Sequence, residues 1–157
     1  MKLERRRVLQ SLRKRVSELD RYLDTYVQEL RKRYPDTSIL LVGSRAQRRA
    51  LPYSDYDLVV VARSIDESRR IHAVIEMFRL KPHDLPLDLI LVSIDELGDP
   101  LIAKMLSEGC VALHDGLGIT HRLPCKQHSS TSSDISSTEP DQEHTPRTRT
   151  NVDSNSL

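Results

Sequence analysis

The sequence predicts a small α/β (α+β) domain in which a mixed β-sheet is flanked by helices and preceded by a long N-terminal helix. Three observations carry this. Leu9, Leu12, Val16, Leu19, Leu23, Tyr26 and Leu30 recur at alternating intervals of three and four, which is one apolar stripe on a helix. Three short apolar, β-branched runs follow, SILLV from Ser38, DYDLVVVAR from Asp55 and PLDLILVS from Pro86, each of strand length. Between the second and third lies SIDESRRIHAVIEMFRL, whose apolar positions have helical spacing.

Taken in order, the first helix covers about residues 3 to 33 and ends at Pro35 and Asp36. At 1.5 Å per residue it would reach roughly 45 Å, more than a small body can cover, so part of it projects or meets a partner. Its 3-4 repeat also suits a coiled-coil seam, and a homodimer through this helix is one expectation. Residues 1–33 carry 11 Lys and Arg against 5 Asp and Glu. With no aromatic platform among its basic residues, it reads as a solvated face rather than a nucleic-acid binder.

The helix after the second strand opens with Ser64 and Glu67 at capping-box spacing and presents Ile71, Val74, Ile75 and Phe78 on one face. The same device at Ser93 and Glu96 precedes DPLIAKMLSEG, which stops at Gly109. CVALHD, from Cys110, reads as a short fourth strand.

These elements divide the 157 residues into a helix over 1–36, a body over 37–120 and a Ser/Thr-rich tail over 121–157. The tail has 13 Ser and Thr in 37 residues, a composition that does not repay ordering. The apolar runs fall far short of the roughly 20 residues that span a bilayer, which excludes a transmembrane helix. The basic N-terminus lacks the apolar stretch of a secretory signal, so the expected location is cytoplasmic. Cys110 and Cys125 are too few for a disulfide framework and have no metal-finger spacing, and they read as unpaired thiols.

The chemistry concentrates in GSRAQRRALPYSDYDLVVV, residues 43–61. Gly43 and Ser44 directly follow the first strand, where a glycine allows a tight turn and successive amides can face an anion such as phosphate. Asp55 and Asp57 open the second strand one residue apart, so both carboxylates share a face and repel unless a cation lies between them. Mg²⁺ is the hard cation for such a pair. Asp88 lies within the apolar third strand, where an unpaired carboxylate is costly. For these groups to share one edge, the first two strands must be antiparallel and the third parallel to the second, with the intervening helix as the crossover.

The string G-S-x(10)-D-x-D with a later strand-borne Asp resembles the nucleotidyltransferase superfamily that includes DNA polymerase beta. Size and order are most similar to the minimal nucleotidyltransferases, antitoxin-type partners of HEPN proteins. The resemblance covers about residues 38–116. It implies a polymerase beta-like fold in which Gly43 and Ser44 hold the triphosphate of ATP, Asp55 and Asp57 ligate two Mg²⁺ ions, and Asp88 ligates the second and helps activate the attacking hydroxyl. The expected activity is transfer of AMP to a tyrosine of a HEPN protein encoded nearby. The family commonly reads GSRARG, whereas Arg48 here replaces its second glycine. That departure implies an altered triphosphate loop, or phosphate contacts from Arg45, Arg48 or Arg49. It also motivates an alternative, a weak or inactive module of the same fold that neutralises its partner by contact. Aminoglycoside modification is a further enzyme reading, but it calls for an acceptor domain that the sequence does not show. Tyr53 and Tyr56 could touch a base or ribose or simply pack, and His72, His83 and His114 lack ligand spacing.

Overall fold

The apolar stripe builds its helix as expected: α1 spans Lys2–Arg33 and ends where the Tyr34 amide donates to the Leu30 carbonyl, just before Pro35. Arg31, Lys32 and Arg33 place positive charge at its C-terminal end, where the helix dipole favours it. Only the second half meets the body. Leu19, Leu23, Tyr26, Val27 and Leu30 are buried, whereas every residue from 1 to 15 is exposed.

The computed structural model describes residues 1–129. After α1 come β1 (Thr37–Val42), a single helical turn α2 (Gly43–Ala46), β2 (Tyr56–Ala62), α3 (Glu67–Arg79) and β3 (Leu87–Ser93). A 3₁₀ turn over Ile94–Gly98 leads to α4 (Pro100–Glu108) and β4 (Cys110–Asp115), and a second 3₁₀ turn (Thr120–Arg122) leads to β5 (Lys126–Gln127). The sheet order is β3-β2-β1-β4-β5, with β1 antiparallel to both neighbours and β2 parallel to β3. The mixed sheet expected from the placement of the acids is therefore present, with α3 as the crossover.

All six residues of β1 are buried because both faces of this central strand are covered. One face packs Ile39, Leu41, Leu58, Val60 and Leu91 against α1 and α3. The other packs Leu40, Val42, Val59 and Val61 against Ile102 and Leu106 of α4. The buried Tyr26 hydroxyl donates to the Met77 carbonyl at 2.7 Å, tying α1 to the end of α3. Across the β1–β4 pair, Asp115 accepts from Ser38 Oγ (2.8 Å), the Ile119 amide (2.9 Å) and Thr120 Oγ1 (2.8 Å). Burial pulls this carboxyl upward, but those donors outweigh burial and hold its pKa down at about 2.

Several expectations are corrected. Ser64 does not cap α3; Asp66 does, accepting from the Ser68 amide. Ile71 and Ile75 are exposed, and Met77 is the buried member of α3 with Val74 and Phe78 packed beside it. The helix is turned this way because Arg70 faces inward, donating to the Leu91 carbonyl at 2.7 Å and to Glu96. The Ser93–Glu96 capping box forms, but it caps the 3₁₀ turn, while Asp99 caps α4.

Cys110 and Cys125 are not unpaired thiols; they form a disulfide. The register explains it: Val111 pairs with Lys126 in the parallel β4–β5 ladder, so the residues immediately before them stand side by side. β5 also lies within the segment expected to be tail, and the turn at Thr120–Arg122 straddles its expected start. The rest of that expectation, residues 130–157, lies outside the described residues. No helix among the described residues is long and apolar enough to cross a membrane.

The two halves of α1 should respond differently to truncation. Leu23→Ala removes a buried side chain from the main core and should cost about 2–5 kcal/mol, while Leu9→Ala should change stability by no more than about 0.5 kcal/mol. Urea unfolding of the two variants measures both.

Candidate active site

The turn at the end of β1 is shaped by a missing side chain. Gly43 sits at φ +74°, which glycine adopts freely, and a Cβ there would collide with the Asp57 Oδ2 carboxylate oxygen. Val42 and Asp57 are register partners in the β1–β2 ladder, so the turn and the carboxylate meet directly. Asp57 is in turn the register partner of Asp88 across the parallel β2–β3 pair. Alternation along the strands puts Asp57 on the face of Val59 and Val61, and Asp88 on the face of Ile90 and Val92.

Asp55 lies one residue before β2, at its mouth rather than inside the strand. Asp57 is half-buried, whereas Asp55 and Asp88 are exposed. Burial first, then the charge of Asp88, then that of Asp55, pushes the Asp57 carboxyl above the usual carboxylate range. Asp57 is thus the common member of two repelling pairs. Among the described residues, no three acidic, His or Cys side chains are already gathered into a metal cage. The donor set nevertheless fits a hard divalent cation: all oxygen, and strained by like charge that a cation relieves.

Ser44 follows in the turn of α2, and its carbonyl accepts from the Arg49 amide at 2.9 Å. Arg45 is turned toward the loop that carries Asp55. Its Nη2 donates to the carbonyls of Ser54 (2.7 Å) and Pro52 (3.4 Å), its guanidinium lies 4.2 Å over the Tyr56 ring, and its buried Nε has no partner among the described residues. The Tyr56 hydroxyl donates to Asp20 of α1 at 2.5 Å. Burial and then that bond push the phenol well above its ordinary pKa, so it stays protonated as a donor. The chain Asp20–Tyr56–Arg45–Ser54 anchors the loop to the first helix. Sequence reading missed it, and the only available signal was Tyr56 standing between the two acids.

Arg48 occupies the left-handed region at φ 59°, alone among the described non-glycine residues. The backbone here keeps the shape that the absent glycine would allow. Its neighbourhood is a separate open cavity of about 580 Å³, also lined by Arg49, Lys126 and His128 and by none of the three acids. The structure therefore brings Gly43, Asp57 and Asp88 together at one sheet edge with Asp55 and Ser44 next to them, while Arg45 supports the loop and Arg48 lines another surface. Tyr56 packs and Tyr53 is 76% exposed. His72 lies beside Glu76, and His114 lies near the Pro35 carbonyl.

A family model described as a nucleotidyltransferase domain matches residues 23–113, from the buried half of α1 into β4. No curated protein matches the sequence closely. Among solved structures, a crystal structure from Sulfolobus solfataricus, provisionally assigned as a nucleotidyltransferase, aligns with a TM-score of 0.46 and 22% identity over 55% of this chain and 77% of that one.

Two outcomes follow from this geometry. A left-handed non-glycine residue costs roughly 1–2 kcal/mol, and the greater freedom of glycine in the unfolded chain returns part of that. Arg48→Gly should therefore raise stability by about 0.5–1 kcal/mol in chemical denaturation. Asp57 has its folded pKa raised, so its ionised form opposes folding, and the fold loses stability as pH rises from the unfolded value through the folded one. In metal-free buffer, Asp57→Asn should raise the melting temperature at pH 7, and the gain should shrink below about pH 4.

Proposed function

The chain belongs to the nucleotidyltransferase domain family, and from that membership we propose that it moves a nucleoside monophosphate, AMP from ATP, to an acceptor hydroxyl in a Mg²⁺-dependent reaction. The acceptor in this reading is a tyrosine of a HEPN-family protein encoded nearby, which the modification would neutralise. The observation that carries the reading is the meeting of the Gly43 turn, Asp57 and Asp88 at one edge of the sheet.

Each residue has a defined task. The amides of the Gly43–Ser44 turn and the Ser44 hydroxyl would bind the triphosphate, with the glycine letting its oxygens approach the backbone. Asp55 and Asp57 would hold two Mg²⁺ ions, with Asp88 sharing the second. Held by these carboxylates, the metal would supply charge neutralisation on the phosphates and on the pyrophosphate leaving group. Asp88 would also orient the acceptor hydroxyl and draw off its proton. The hydroxyl oxygen bonds to the α-phosphorus as the bond to the β-phosphate oxygen breaks, and pyrophosphate leaves. An ATP donor fits a cytoplasmic location, whereas the Cys110–Cys125 bridge is a device more common where thiols are oxidised.

A second reading has an observation of its own. Arg45 is spent on loop carbonyls and Arg48 lines a different cavity, so neither guanidinium is committed to the carboxylate edge. That favours a module that binds its partner without turnover.

The test incubates the protein, α-labelled ATP and Mg²⁺ with the neighbouring gene product. Transfer of label to that protein, abolished in Asp55→Asn and Asp57→Asn and reduced roughly 10²–10⁴-fold in Asp88→Asn, is the expected result. Equal labelling by all the variants would overturn the catalytic assignment, and tight association without label would favour the contact module.

A further inference from the structure

The N-terminal half of α1 has the composition of an interface, and residues 1–15 are all exposed. Val8 is 58% exposed, Leu9 54% and Leu12 38%. Leu9 and Leu12 continue, through Val16 and at the same 3-4 spacing, the seam that buries Leu19 and Leu23 lower on the helix. An isolated helical segment of this length is marginal in water, so an overhang with an apolar seam gains by being covered.

The charge on this segment says what covers it. Residues 1–17 hold seven Lys and Arg against Glu4 alone, and none of these cations has a salt-bridge partner among the described residues. With Leu9, Leu12 and Val16 as the seam, Arg6, Arg13 and Arg15 occupy the flanking positions that set partner choice in paired helices. A second copy fits poorly. Run antiparallel, it sets Arg13 and Arg15 against their own kind. Run parallel, it offers Arg15 only Asp20, which is already bonded to Tyr56. A membrane surface fits poorly too, because the seam is narrow and the overhang has no aromatic anchor.

The seam opens into a groove of about 470 Å³ between Leu12, Arg15 and Leu19 of α1 and Pro52 and Tyr53 of the loop. Two residues beyond Tyr53 is Asp55.

We propose that the exposed half of α1 and this groove are the docking surface for an acidic amphipathic helix of the acceptor protein, seated so that its hydroxyl is presented near the carboxylate edge. The proposal deepens the reading above and rests on it for the identity of the acceptor as a protein. The complementary helix has an apolar seam with Glu or Asp flanking it, and docking holds acceptor and nucleotide together through contacts remote from the reacting atoms.

The test titrates the full chain against a labelled peptide of about four heptads, with leucine in the seam and glutamate at the flanking positions. The control peptide has lysine at the same flanks. The expected result is salt-sensitive binding of the glutamate peptide alone. That binding should weaken by about tenfold or more in Arg13→Glu/Arg15→Glu, with the lysine peptide now admitted. Circular dichroism melting should stay close to the parent, because both side chains are exposed.

Four outcomes overturn the proposal: no peptide binding, binding indifferent to the charge reversal, a dimer of this chain that Leu9→Ser/Leu12→Ser dissolves, or capture of phosphatidylserine vesicles but not of the peptide. Binding should persist in Asp57→Asn, which separates the two readings. Peptide binding as stated without label transfer leaves the docking surface and removes the catalytic assignment. Full-rate label transfer by Arg13→Glu/Arg15→Glu leaves the catalytic assignment and removes the docking surface.

Discussion

The arrangement depends on one steric constraint, the lodging of the Asp57 carboxylate against a backbone turn that has no side chain. Any other residue at Gly43 would meet that carboxylate and would also be held in a backbone region that suits it badly. The constraint joins three elements. β1 must end there, β2 must bring Asp57 alongside Val42, and β3 must bring Asp88 alongside Asp57. Core packing supplies the strands and this contact aligns their ends, so the same residues that close the sheet edge also concentrate its negative charge.

That concentration has a counterweight on the opposite side of the loop. The segment between α2 and β2 could wander, because it has few apolar residues to bury. Arg45 holds it by two carbonyl contacts, Tyr56 supports the guanidinium, and Asp20 fixes the Tyr56 hydroxyl. An arginine placed like a ligand for phosphate in sequence thus has a structural task in the fold. The division of labour is coherent: the turn at Gly43 sets where one acid stands, and the Arg45 chain sets where the loop delivers another.

Much of this was legible in the amino-acid order, and the reasons differ by feature. The 3-4 stripe of α1, the β-branched runs and the antiparallel-then-parallel strand order could be read because periodicity and the need to gather Gly43, Asp57 and Asp88 restrict the chain to few paths. The face of α3 could not be read from its apolar positions, since Arg70 found acceptors in the Leu91 carbonyl and the Glu96 carboxylate while Ile71 faces outward. The Cys110–Cys125 bridge was hidden for another reason. It depends on β5, a two-residue strand in a Ser/Thr-rich context whose pairing is visible only once β4 is in place. The Arg48 substitution was legible as a departure, but its left-handed backbone was not: the chain kept the turn and accepted the strain, so the loop's shape is set by its surroundings more than by the residue in it.

The unequal cover along α1 gives one continuous helix two regimes of motion. Amides near Leu23 to Leu30 are hydrogen-bonded in a segment whose side chains share the main core, so they open only when that core opens. Amides before Val16 lack that cover and open in local events well below the free energy of opening the core. The boundary falls within about one turn, near Leu19, with no proline or glycine to mark it. Mechanically the helix is a post with one length set in a fixed socket that moves with the sheet and another length that opens independently of it.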